Sequence, residues 1–364
     1  MQALRHNYAI AQSIAPQAQN LVMVKGNAYG HGAVEVATAL APVASAFGVA
    51  SIEEAFELRQ NNIKQPILLL EGTFTSEEVE IAAKMNFWLL VENKPQVRAI
   101  LRATNLESKV NVWLGLDTGM HRLGFQTEEI QSAYDALSNS ANVNDDIVIQ
   151  SHFACADNLE DPATLEQIAT FNQLLPVTEK ERHITSLANS AGVMAWPQSH
   201  GDWNRPGYML YGNSPFDHPH EHADQLESVM SLESGVISLR TVLKGDSVGY
   251  GSNWTAQRNS TIATISAGYG DGYPRQARNG TPVVINGVRC PLAGCVSMDM
   301  ITVDVTDLKT VNIGDRVVLW GQELSLKEVA EACGTVGYEL MTRVPVRVPR
   351  MYSDVVSLTH ASVR

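Results

Sequence analysis

Short apolar runs alternate with amphipathic helical segments over roughly the first two thirds of the chain, and this rhythm restricts the fold more than any other feature. The runs are "LVMVKG", "AFGVAS", "PILLLEG", "FWLLVEN", "VNVWLGLD", "IVIQSHFA", "ITSLANS" and "GYMLYGN". Each has the length of a strand, and most are bounded by Gly, Pro, Asn or Ser. Helix-start patterns stand between them: "SIEEAFELRQ" opens with Ser51 ahead of Glu53 and Glu54, and "TSEEVEIAAK" follows Thr75 and Ser76 in the same way. The link after "ITSLANS" is irregular, and no helix is assigned there. Eight strand-and-helix units in sequence predict an α/β fold, a (β/α)8 barrel with a parallel core.

Beyond Pro219 the pattern changes. "SVMSLESGVISLRTVL", "STIATISAG", "TPVVINGVRCPLAG", "MITVDVTDL" and "GDRVVLWG" are β-rich and joined by glycine turns, with one helix expected at "SLKEVAEACG". The expected division is a barrel over residues 1–222 and a mainly β C-terminal domain over residues 223–364. A chain of 364 residues with 45% hydrophobic content agrees with two domains. At the junction, "HPHEH" reads as a polar loop around Pro219 rather than a metal site, since no matching ligand group accompanies it. The net charge of -13 excludes a nucleic-acid surface, which needs clustered Lys and Arg. Cys155, Cys290, Cys295 and Cys333 are too scattered for a disulfide framework or paired zinc ligands, which points to a reducing cytoplasm. The first residues lack a signal-peptide core, and no run approaches the ~20 apolar residues that span a bilayer. A cytoplasmic protein acting on small molecules is expected, with neither nucleic acid nor membrane as partner.

Barrel active sites lie at the C-terminal ends of the strands, so those ends are the places to look for chemistry. The first predicted strand runs into "VMVKGNAYGHG", with Lys25 at its end and Tyr29 just beyond. The fifth ends at Asp117 and leads to Arg122, the sixth ends at His152, and the seventh at Asn189 and Ser190. The eighth is expected to open at Gly207, with Arg205 before it. Taken singly, Asp117 reads as a turn cap, His152 as a core histidine and Arg205 as a surface charge. Gathered on one rim, they make a catalytic pocket the better reading. The chain has no GxSxG elbow, no GxGxxG, no phosphate loop with GK[ST] and no His-carboxylate metal set. A lysine at a barrel mouth can form a Schiff base with a carbonyl, either of a substrate or of pyridoxal phosphate. The cofactor is favoured: Ser190, Tyr29 and the backbone near Gly207 suit a phosphate, and Arg205 suits the ring nitrogen.

"VMVKGNAYGHG" resembles the cofactor-lysine signature of alanine racemases, VKANAYGHG, with Gly26 in place of the usual alanine. "LDTGMHRLGF", "SHFACAD", "ANSAG", "NRPGYMLYG", "SAGYGDGYPR", "GCVSMDM" and "RVPRMY" resemble further blocks of that family in the family's order. The resemblance implies that Lys25 binds pyridoxal 5'-phosphate as an internal aldimine. It also implies that Tyr29, Ser190, Gly207, Tyr208 and Tyr352 surround the phosphate and that Arg205 faces the pyridine nitrogen. It further implies a two-base racemisation of alanine by Lys25 and Tyr269, with Tyr269 linked to His152 and onward to Arg205. Arg122 and the backbone at Met298 would hold the substrate carboxylate, and Asp299 would sit at the edge without a catalytic role. Because Tyr269 belongs to the β domain, the resemblance implies a homodimer in which it reaches the barrel of the second subunit. The product implied is D-alanine for bacterial peptidoglycan.

Two departures accompany the match. Many members carry a carbamylated lysine two residues before the aspartate of the DTGM block, where it orients the arginine; this chain has Gly115. The family also usually places a strand ahead of the segment that here begins "QALRHNYAIA". Three other readings remain beside the racemase. A decarboxylase of the same architecture would usually show a triple-glycine loop and a cysteine near the end, and a pyridoxal-phosphate carrier would resemble the barrel alone. A broad-spectrum amino-acid racemase differs only in a few side chains at the entrance, where Tyr352 and Tyr269 would narrow the pocket towards alanine.

Overall fold

The computed structural model describes residues 1–178 and 182–354. The chain gathers into two compact units, one of Met1–Ala28 with Gly32–Leu226, the other of Tyr29–His31 with Glu227–Arg364.

The first unit is built on eight parallel strands: β1 (Gln19–Met23), β2 (Ala46–Val49), β3 (Ile67–Leu69), β4 (Phe87–Val91), β5 (Val112–Gly115), β6 (Val148–Gln150), β7 (Ile184–Ser186) and β8 (Trp203–Asn204). Each pairs with the next as far as β7, and β8 lies against β1. The remaining gap is bridged at both ends of the strands: Thr185 N–H donates to the Asp202 carboxylate at 2.9 Å, and Arg205 N–H donates to the Ala188 carbonyl at 2.8 Å. The parallel barrel expected from the alternation is therefore present. Its interior is filled in part by Trp88, Trp113 and Trp203 from β4, β5 and β8, whose ring centroids lie 5.4 to 6.3 Å apart. Aromatic rings of this size exclude water from the interior and leave the strand ends as the accessible face.

The helices Ile52–Gln60 and Ser76–Met85 start where their sequence patterns place them. Thr75 caps the second by accepting the Glu78 N–H at 3.2 Å. Two local readings are corrected. The eighth strand is Trp203–Asn204 rather than "GYMLYGN", whose residues Tyr208–Tyr211 form a 3-10 turn. A short apolar run has no periodicity that separates a buried strand from a buried turn, and Pro206, which lacks an N–H, interrupts the ladder just before it. Arg205 consequently follows its strand, as the other rim residues do. The irregular link after β7 contains a short helix, Ser190–Ala195, capped by the Asn189 side chain on Gly192 N–H at 2.9 Å. Six residues are too few to display an amphipathic period.

The second unit is a six-stranded antiparallel sheet of β9 (Leu232–Val242), β12 (Ser260–Ile265), β13 (Pro282–Ile285), β14 (Val288–Pro291), β15 (Ile301–Asp304) and β16 (Arg316–Trp320). Their spatial order is β14-β13-β16-β9-β12-β15. The remaining two strands, β10 (Ser247–Val248) and β11 (Trp254–Thr255), form a separate small hairpin. The predicted helix is Leu326–Cys333, followed by a second at Gly337–Thr342. Tyr273 stacks on Trp320 in the interior of this unit, with ring centroids 6.3 Å apart. Among the described residues no helix is long and apolar enough to cross a membrane, and all four cysteines are unpaired.

Candidate active site

Lys25 stands just past the end of β1, where the backbone reverses its hand. Gly26, Asn27, Ala28 and Tyr29 all have φ between 52° and 61°. Consecutive left-handed residues are rare because Cβ crowds the following carbonyl, at a cost of roughly 1–2 kcal/mol each for L-residues. Specific bonds hold the turn in place: Ala28 N–H donates to the Val24 carbonyl at 2.7 Å, and Gly32 N–H to the Asn27 carbonyl at 3.0 Å. The Asn27 side chain accepts from Ala33 N–H at 2.8 Å. Glu54 adds a brace, one carboxylate oxygen accepting from Gly26 N–H at 2.7 Å and the other from Ala50 N–H at 2.8 Å. Strain maintained in this way is concentrated at functional sites. Lys25 is exposed at the mouth. Its ammonium is nevertheless pushed below the ordinary lysine value, first by lost hydration and then by the positive charge of Arg122, with Arg205 adding to it. Glu54 and Glu71 act in the opposite direction.

Arg205 is buried, and its two terminal nitrogens are fully engaged. Nη1 donates to the Ser186 carbonyl at 2.9 Å and to Ser186 Oγ at 2.8 Å. Nη2 donates to the carbonyls of Ser151 at 2.6 Å and Leu187 at 3.1 Å, and lies 3.2 Å from His152 Nδ1. Among the described residues Nε makes no hydrogen bond. Burial lowers the guanidinium to about 10, with Glu92 acting against the fall, so it stays protonated at neutral pH. A guanidinium can only donate, so Nδ1 of His152 is the acceptor and the ring proton sits on Nε2. Burial first, then Arg205, Arg122 and Lys25, push that histidine down to about 3, and the ring is neutral. Beside them, Ser190 Oγ accepts from Gly207 N–H at 3.0 Å and Met209 N–H at 3.2 Å, which leaves its own proton to donate. Tyr208 follows Gly207 and is buried, which raises its phenol above the ordinary value.

Arg122 lies on the loop between β5 and Phe125. Asp117 organises this loop: Oδ1 accepts from Gly119 N–H and His121 N–H at 3.0 Å each, and Oδ2 pairs with His121 Nδ1 at 2.9 Å. Burial opposes the charge on Asp117, but the His121 and Gly119 bonds hold its carboxyl below the usual range. The turn-cap reading of Asp117 was correct. Arg122 is exposed and makes no hydrogen bond or ion pair among the described residues. Glu71 and Glu92 follow β3 and β4 and complete the charges at the mouth. Burial pushes Glu92 up to about 7 while Arg122, then Arg205, pull against it.

Lys25, Arg122, His152, Ser190, Arg205, Gly207 and Tyr208 are thus brought to one end of the barrel. Tyr29, Tyr269, Met298 and Tyr352 belong to the second unit. There Tyr269 and Met298 are neighbours: Tyr269 N–H donates to the Ser297 carbonyl at 3.0 Å, and Gly270 N–H to the Met298 carbonyl at 2.8 Å. The segments carrying them approach so closely that a Cβ at Gly268 would lie 2.3 Å from the Ser297 carbonyl oxygen. Asp271 accepts the Gly268 N–H at 2.9 Å, and Arg347 binds Asp271 at 2.9 Å and Asp299 at 2.8 Å. Asp299 is therefore part of the clamp on the Tyr269 turn. Tyr269 is 42% exposed and lines an open hollow of about 570 Å³ with Gly272, Tyr273, Arg275 and Arg343. Tyr352 donates its hydroxyl to the His31 carbonyl at 2.9 Å, and Arg350 Nε donates to the Gly30 carbonyl at 2.8 Å. Burial pushes the Tyr29 phenol up to about 12.

A profile of the alanine racemase N-terminal domain matches residues 1–215, and one of the C-terminal domain matches residues 229–352. The chain belongs to the alanine racemase family. The biosynthetic alanine racemase of Pseudomonas aeruginosa is 48% identical over 353 residues, 97% of each chain. The crystal structure of the biosynthetic alanine racemase from that organism superimposes with a TM-score of 0.92, covering 96% of this chain and 97% of the other. The alanine racemase of Bartonella henselae, described with covalently bound pyridoxal phosphate, gives a TM-score of 0.86 at 31% identity over 96% of this chain and 97% of that one. Within this alanine racemase fold, the carboxylates Glu54, Glu71 and Glu92 were missed by sequence reasoning. Glu54 carries only a helix-start signal in the sequence, and Glu71 and Glu92 stand at the ends of the apolar runs "PILLLEG" and "FWLLVEN", where a charge closing the run is the available signal.

Proposed function

We propose that the chain interconverts L- and D-alanine with pyridoxal 5'-phosphate as cofactor. The observation that carries the reading is the group at the barrel mouth: a lysine with a lowered pKa, a buried arginine that only donates, and a neutral histidine bonded to it. The residues present fit the cofactor. Arg205 Nε, without a partner among the described residues, suits an acceptor such as a pyridine nitrogen. The Ser190 hydroxyl proton and the backbone at Gly207 and Tyr208 suit a phosphate oxygen. Pyridoxal phosphate, when bound, supplies the electron-withdrawing system that acidifies the substrate Cα–H. Arg205 leaves an acceptor at the ring nitrogen unprotonated, which moderates that withdrawal and disfavours side reactions.

The remaining steps belong to the chain's own residues. Lys25 Nζ, with its depressed pKa, exchanges the Cα proton on one face, and Tyr269 Oη serves the other face. A phenol is a weak base at its usual pKa near ~10 and needs a donor to stabilise its anion. His152 Nε2–H supplies one, its ring oriented through Nδ1 by Arg205. Arg122 takes the substrate carboxylate in a two-point grip, with the Met298 backbone beside it. Tyr29 and Tyr352 complete the phosphate set. Tyr269 acts in the barrel of a second copy, which makes the working unit a cytoplasmic homodimer, and D-alanine for peptidoglycan is its product.

Borohydride treatment of the loaded protein tests the reading. The cofactor should become fixed to the peptide bearing Lys25, and D-alanine should form from L-alanine before treatment but not after. Labelling of another lysine would remove Lys25 from its role.

A further inference from the structure

The strand register places Glu92 and Gly115 side by side. β4 and β5 pair Val91 with Leu114, so the next positions along the two strands are these two residues. Alternation along each strand puts both on the face that carries Trp88 and Trp113, the inside of the barrel. Gly115 offers no side chain there, and Glu92 fills the space: a Cβ at residue 115 would lie 2.9 Å from Glu92 Cγ and 3.2 Å from Oε1. The Glu92 carboxylate makes no hydrogen bond among the described residues, so nothing local accounts for an acid at this inward position. The charged groups that act on it are Arg122, Arg205 and Glu71, with Arg122 the largest attraction. Arg205 is already fixed by Ser151, Ser186 and Leu187, whereas Arg122 makes no hydrogen bond or ion pair among the described residues.

We propose that Glu92 is a positioning residue for Arg122, its carboxylate occupying the space beside Gly115 and drawing the guanidinium inward over the mouth. The inference rests on the assignment of Arg122 to the substrate carboxylate. A long exposed side chain loses rotamer freedom when it grips a ligand, and a fixed anion behind it removes part of that cost in advance. Glycine at 115 is required by the same arrangement, because any larger residue there would displace the glutamate.

The test uses the cofactor-loaded protein and propionate, which is alanine without its amino group and so probes the carboxylate grip alone. Glu92→Gln keeps the shape and removes the charge. Its propionate dissociation constant and its KM for alanine should each rise roughly 5- to 10-fold, with kcat within about twofold, because the lost interaction is common to ground and transition states. Between pH 6 and pH 8.5 propionate should bind the parent more tightly as Glu92 ionises, relative to the Glu92→Gln variant measured over the same range. A merely structural role would lower the melting temperature and leave propionate binding unchanged. Gly115→Ala should reproduce the weakening with Glu92 intact.

Arg122→Ala separates the possible failures. If Arg122→Ala weakens propionate and Glu92→Gln does not, Glu92 has no positioning role and the assignment of Arg122 stands. If Arg122→Ala leaves propionate binding unchanged, the assignment falls and the inference with it. Tighter propionate binding in Glu92→Gln would make the carboxylate a repelling charge and overturn the proposal.

Discussion

At the level of single residues, the site is governed by which groups are denied their usual charge. Lys25→Ala should reduce racemisation by at least ~10³-fold, since both carbonyl capture and one proton-transfer base are lost. Its melting temperature should not fall, because an ammonium crowded by two arginines is removed; differential scanning calorimetry of the apo forms checks this. His152 gives a prediction with a definite sign. Its ring is held near 3, whereas an unfolded histidine titrates near ~6.5. Between those values the unfolded chain binds the additional proton, so stability falls as pH is lowered through this window, by up to ~1.4 kcal/mol per pH unit. Urea unfolding of His152→Gln should therefore lose up to ~2 kcal/mol less than the parent between pH 6.5 and 5; parallel slopes would contradict a neutral ring. The sequence displayed Lys25 and His152 because each closes an apolar run, and Arg205 because it stands before a Pro-Gly step beside one. It did not display that His152 is neutral, which depends first on its burial and then on the charge of Arg205, or that Glu54 braces Gly26 across 28 positions of chain.

Turns and loops fix how the side chains are presented. The loop carrying Arg122 depends on one carboxylate that accepts three bonds, and Asp117→Ala would leave two backbone N–H groups without their partner. The expected result is a ~10-fold higher KM for alanine with a stability loss of about 1–2 kcal/mol, read from steady-state kinetics and chemical denaturation. The Tyr269 turn has a similar clamp, but its ion pairs are exposed. Arg347→Ala should change stability little while lowering kcat roughly 10-fold, because the tyrosine loses its fixed position. Elements of this scale were partly legible. Strands and capped helices follow from alternation and start signals, and they appear where expected. The eighth strand was misplaced because a two-residue strand before a Pro-Gly step and a four-residue turn after it carry too little pattern to be told apart. The helix Ser190–Ala195 escaped for the same reason.

For the molecule as a whole, the alternation along the first two thirds predicted a barrel because only one common fold repeats that unit eight times and closes. Whether Tyr269 of the β unit serves the barrel of its own chain or that of a second copy was not legible in pattern alone. Subunit mixing decides it. When Lys25→Ala and Tyr269→Phe chains are unfolded and refolded together, the proposed homodimer would form with half of its dimers mixed. If Tyr269 serves the neighbouring barrel, each mixed dimer has one intact site, and roughly a quarter of parental activity should return. If it serves its own barrel, none should. The left-handed turn after β1 has a consequence for the history of the chain as it folds. A coil of the wrong hand has nothing to recommend it in isolation, so an emerging chain will place Gly26 to Tyr29 in ordinary conformations until the surrounding strands and Glu54 compel otherwise. The partly folded molecule thus carries an ordinary lysine, and the lowered pKa of Lys25 arises only when burial and Arg122 act on it in the finished barrel.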